Sequence, residues 1–126
     1  MLTEATDIRQ IPGEPKRRWF SDDDFELIVW IDYNDIIVGF QLCYDKRNNM
    51  RALTWKAPST YYHDRVDDGE VHPLQPKATP VLVADGTFDY QRIAAMFLKE
   101  STAIDSTIAR FVYKRILEFG RRKVVA

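Results

Sequence analysis

Two apolar runs, Phe25 to Ile31 and Ile36 to Tyr44, flank the polar turn Asp32-Tyr33-Asn34-Asp35. Side chains alternate faces along a strand. Phe25, Leu27, Val29 and Ile31 therefore share one face of the first run. Ile36, Val38, Phe40 and Leu42 share one face of the second. A tight loop centred between Tyr33 and Asn34 pairs Ile31 with Ile36, Val29 with Val38 and Leu27 with Phe40. This register gathers the purely apolar set on one side, and a one-residue slip would mix the faces. Val29, Ile31, Val38 and Phe40 are expected to be buried. The reverse face carries Ile28, Trp30 and Ile37, so partial cover is expected there too. Gly39, placed opposite Ile28, marks a bulge or a close approach by another group.

The remaining pattern arranges itself around this hairpin. Asp7 to Ile11 alternates weakly and predicts a short edge strand. Pro12 to Pro15 is a turn by its breakers. Lys16 to Phe20 reads as a strand, with Ser21 to Asp24 turning the chain into the hairpin. Met50 to Lys56 and Thr60 to His63 continue the meander. Asp64 to Thr79 reads as a loop, and Thr79 to Asp85 as a short strand. The period then changes. Asp89 to Lys99 predicts a helix with Ile93, Met96 and Phe97 on one face. Ile104, Ile108, Phe111, Val112, Ile116 and Phe119 predict a second, capped by Asp105 or Ser106 and closed by Gly120 at C′. Strands first and helices last give an α+β fold. The expected architecture is an antiparallel meander sheet of about five or six strands in the N-terminal two-thirds, with two C-terminal helices packed on one face. Residues 1–126 read as a single domain, with 1–5 and 122–126 expected to fray.

Composition narrows the function classes. At 126 residues and 45% hydrophobic content, the chain can bury a sizeable core without a metal or disulfide. Eighteen basic against nineteen acidic residues give a net charge of −1. That field gives no reason to expect nucleic acid as a partner. The single Cys43 excludes an internal disulfide and, set in an apolar strand, reads as a reduced thiol. No apolar run approaches the roughly 20 residues of a membrane-spanning helix. The N-terminal residues lack a secretory pattern. A cytoplasmic location with no membrane partner is the expectation.

Candidate chemistry concentrates between His63 and His72. Both histidines of the chain lie there with four carboxylates, Asp64, Asp67, Asp68 and Glu70. Imidazole and carboxylate can hold a transition metal or move protons. The spacing is neither HExxH nor a Ca²⁺ loop, so the simpler reading is a solvated connection turning at Asp68-Gly69. Its length, near 16 residues, is more typical of a binding loop. His63, Asp64, Asp67, Asp68, Glu70 and His72 therefore form the candidate ligand-binding set. No catalytic residue, metal or cofactor is assigned. Lys16, Arg17 and Arg18 beside Trp19 and Phe20 could contact phosphates and bases. The simpler reading pairs these cations with Asp22 to Asp24. Trp19, Trp30, Trp55, Tyr33, Tyr44, Tyr61 and Tyr62 read chiefly as core or cross-strand pairs. GxSxG, a glycine-rich phosphate loop and CxxC are all missing. The expectation is a non-enzymatic interaction or structural module that associates with protein, chiefly itself. The alternative is a small enzyme or ligand binder using the His63 to His72 loop over an aromatic pocket.

Overall fold

The computed structural model describes residues 1–47, 49–65, 83–84 and 88–125. Five long strands form an antiparallel meander: β2 (Lys16–Ser21), β3 (Phe25–Ile31), β4 (Ile37–Tyr44), β5 (Arg51–Lys56) and β6 (Thr60–Arg65). Two-residue strands extend its edges, β1 (Thr3–Glu4) beside β2 and β7 (Val83–Ala84) beside β6. Helices α1 (Tyr90–Glu100) and α2 (Ser106–Val125) follow. The α+β meander with two C-terminal helices is thus the architecture observed.

The register puts two rows of large apolar side chains under the helices. Phe20, Leu27, Leu42, Leu53 and His63 are successive cross-strand neighbours, as are Arg18, Val29, Phe40, Trp55 and Tyr61. Phe20, Leu27, Val29, Phe40, Leu42 and Leu53 are fully buried. They join Ile93, Phe97, Ile108, Val112, Ile116 and Phe119 of the helices in one contiguous core. Each large side chain so buried contributes about 1.5–3 kcal/mol. Phe97 meets Phe25 edge-on at 5.8 Å, and Phe111 meets Phe40 edge-on at 6.4 Å.

The central hairpin keeps its expected faces but not its expected register. Val29 pairs with Phe40 and Leu27 with Leu42, and the register shifts between Trp30 and Ile31. The cause lies in the turn. Asp32 accepts hydrogen bonds from the N–H groups of Asn34 and Ile36 through one carboxylate oxygen, and Asp35 takes φ +60°. Asp tolerates this left-handed conformation. The enlarged loop leaves Ile36 exposed and Ile31 and Val38 only half-buried. Gly39 consequently faces Trp30, not Ile28. A β-carbon on Gly39 would lie 3.2 Å from the Trp55 carbonyl oxygen and 3.7 Å from Trp30 Cε3. The tighter of these approaches is to the β5 backbone, so Gly39 gives the Trp55 carbonyl its room.

Further differences concern the chain ends and the charges. Residues 1–5, expected to fray, are tied down. Leu2 is fully buried and its N–H donates to the Glu100 carbonyl, while Thr3 and Glu4 pair with β2. Asp7 to Ile11 forms no strand. Instead, the Gln10 side chain brackets the Arg17 backbone with two hydrogen bonds of 2.8 Å. Gly120 does not end α2, which continues to Val125. A β-carbon there would come within 1.9 Å of Tyr90 Cγ, so this glycine permits close approach of α1. Asp105 caps α2 as expected, accepting from the Thr107 N–H at 2.8 Å. The cations of β2 do not pair with Asp22 to Asp24. Arg18 binds Glu4 at 2.7 Å and Asp105 at 3.1 Å.

Candidate functional site: the helix-free face of the sheet

Of the six candidate ligand-binding residues, His63 and Asp64 are described; Asp67, Asp68, Glu70 and His72 lie outside the described residues. Neither described residue is in a loop. Both belong to β6, and alternation sends them to opposite faces. His63 enters the core. Its Nε2 lies 2.5 Å from the Tyr44 hydroxyl, and its ring contacts Phe88 and Phe119 with centroids at 4.7 and 6.0 Å. Nearby, the Tyr61 hydroxyl donates to Glu118, whose other oxygen takes Arg115 at 3.2 Å. Burial first, and the Glu118 carboxylate second, push the Tyr61 phenol well above its ordinary range. This cluster ties β4 to β6 and β6 to α2 inside an aromatic wall.

Asp64 takes the other direction. It is 8% exposed, and its Oδ2 has no hydrogen-bond partner among the described residues. Burial raises its pKa, against a smaller lowering by His63. Asp64 therefore shares no site with His63. Among the described residues no group of three or more His, Cys, Asp or Glu side chains converges as metal ligands would.

Asp64 ends one of three rows that cross the face opposite the helices. Ser21, Glu26, Cys43, Ala52 and Asp64 form the first. Cys43, Ala52 and Asp64 are buried there. Burial and, secondarily, Glu26 push the Cys43 thiol up to about 11, so it stays protonated and unreactive at neutral pH. The second row is Trp19, Ile28, Gln41, Thr54 and Tyr62, and the third is Arg17, Trp30, Gly39, Lys56 and Thr60. Trp19, Ile28 and Trp30 are half-buried, and Tyr62 is 47% exposed. Gln41 donates to the Thr54 hydroxyl at 3.2 Å, and the Lys56 ammonium sits 5.9 Å from the Tyr62 ring centroid. These two rows combine three aromatic rings, Ile28 and two cations, with no carboxylate. Such a surface can pack apolar groups and hold cations on ring faces.

No family model, curated protein or solved structure matches the chain. No helix among the described residues is long and apolar enough to cross a membrane. The sequence reads Trp19, Trp30 and Tyr62 chiefly as core or cross-strand residues. The alternation that places them together was present in the strands. Their place on an uncovered face required the placement of both helices on the other one.

Proposed function

We propose that this chain is a non-enzymatic interaction module that self-associates through the helix-free face. One observation carries the reading: Trp19, Ile28 and Trp30 adjoin on β2 and β3, with Tyr62 farther along the same face on β6, and that face receives neither helix. Rings in this setting supply large contact area at low entropy cost and are enriched at interfaces. The character of the rows favours a second copy as occupant. A two-fold axis lying between the second and third rows sets each against the other row of the second copy. Arg17 then faces a Trp19, and Lys56 reaches a Tyr62 one strand away. Cations over ring faces are attractive, more so when desolvated. The interface is isologous, as two-fold interfaces are. The buried, protonated Cys43 thiol suits a reducing cytoplasm.

Sedimentation equilibrium tests this. The wild-type chain is expected to run as a dimer, and Ile28→Arg combined with Tyr62→Glu as a folded monomer. A wild-type chain that remains monomeric at about 1 mM, where even an association of about −4 kcal/mol would show, overturns the reading.

A further inference from the structure

Helix α2 is electrically unlike the rest of the molecule. It carries Arg110, Lys114, Arg115, Arg121, Arg122 and Lys123 against a single acid, Glu118, in a chain of net charge −1. Glu118 is already engaged by Tyr61, Arg115 and Arg122. Arg18, Arg47 and Arg92 are likewise paired with carboxylates. Arg110, Lys114 and Arg121 are exposed, and none has an ion-pair partner among the described residues. At 100° per residue these three fall within about 40° of one another around the helix. They form a straight stripe about 16 Å long at 1.5 Å per residue.

We infer that this stripe binds the phosphate backbone of nucleic acid, without sequence preference. A partner must supply anions along a line, because the cations are aligned and not spread over a patch. A phosphodiester strand is such a line, and cations placed on it gain by releasing condensed counterions. An anionic membrane surface fits less well. Helices that settle into it bury an apolar face, and the apolar face of α2 is committed to the core through Ile108, Val112 and Ile116. Contacts made to phosphates alone position the duplex without specifying a sequence. The net charge of the chain conceals this surface, since contact is decided over a screening length of about 8–10 Å and not over the whole molecule. The stripe lies on the opposite side of the molecule from the face assigned to self-association, and the two inferences stand independently.

Fluorescence anisotropy with a labelled 20-base-pair DNA duplex tests the inference. Three phosphate contacts give a salt slope of about −2.7, so affinity is expected to fall about 40-fold between 50 and 200 mM salt. The triple variant Arg110→Gln, Lys114→Gln, Arg121→Gln is expected to lose binding while keeping its circular dichroism and melting temperature. A control that removes three exposed cations elsewhere, Arg9→Gln, Arg47→Gln, Lys99→Gln, is expected to bind as wild type. The inference is overturned if the duplex is not bound at 50 mM salt, or if the control loses as much as the stripe variant. Tighter binding to vesicles rich in phosphatidylserine than to the duplex also overturns it.

Discussion

The two faces of the sheet are built from the same strands and end differently. Under the helices, Phe20, Leu27, Val29, Phe40, Leu42 and Leu53 are sealed completely. On the other face, two of three rows leave their rings half-buried or exposed. Residues 63 and 64 condense the contrast into one dipeptide. His63 is buried with its Nε2 against Tyr44, and Asp64 is buried with an oxygen unsatisfied among the described residues. The lesson is that alternation assigns a side chain to a face, but only what packs on that face decides its energetics.

Substitutions at matched positions test how deep the difference runs. Phe40→Ala is expected to cost about 3–5 kcal/mol in urea unfolding, the cost of a cavity in a packed core. Tyr62→Ala, on the open face, is expected to cost less than about 1 kcal/mol. Equal costs would erase the distinction between the faces. Tyr44→Phe is expected to cost about 1–2 kcal/mol, because it strips a buried ring nitrogen of a partner while preserving shape. If the variant unfolds at the wild-type urea midpoint, the Tyr44–His63 bond contributes nothing to the fold.

Asp64→Asn should move stability the other way and by less. Burial raises the folded-state pKa of Asp64 above the ordinary value of 3.8. Below 3.8 the group is neutral in both states and costs nothing in charge. As pH rises from there to the folded pKa, ionisation stabilises the unfolded chain and folding loses free energy. The asparagine variant is expected to melt higher than wild type near neutral pH, with the difference vanishing well below 3.8. A variant that melts lower near neutral pH would show that Asp64 ionises against a favourable partner. The smallest effect concerns Cys43. Its labelling by a thiol reagent in the native protein is expected to be far slower than in urea, since burial keeps it protonated. Equal rates would mean that its end of the open face is uncovered.

Much of this fold was legible in the chain because its strands carry long alternating runs and its helices an uninterrupted stripe. Alternation gave the faces of Leu27, Val29 and Phe40, which are buried as expected. It could not give the register, because the Asp32 carboxylate reorganises the turn and moves the pairing by two residues. Gly120 was misleading for a related reason. A glycine near a helix end reads as a stop by its own conformational freedom, whereas here it answers to Tyr90, a neighbour from another helix. Asp64 was assigned to a loop because polar residues dominate the sequence after it. The strand in fact runs through Arg65, paired with β5. The candidate site was less legible than the fold, since Trp19, Trp30 and Tyr62 come from three strands and share a face only through the pairing.

The N–H of Leu2 bonded to the Glu100 carbonyl has a consequence for how quickly the molecule assembles. The meander is made of neighbours in sequence, and each hairpin closes a short loop. The Leu2–Glu100 clasp closes a loop spanning most of the chain, as does the bridge from Arg18 to Asp105. Entropy charges such closures before their contacts give anything back. The sheet can therefore zip strand by strand, while its β1 edge waits for the helices to arrive. Until then Leu2 has no pocket, and the row from Phe20 to Leu53 has no roof. The slow step expected for this protein is the docking of its two ends on each other, not the formation of its sheet.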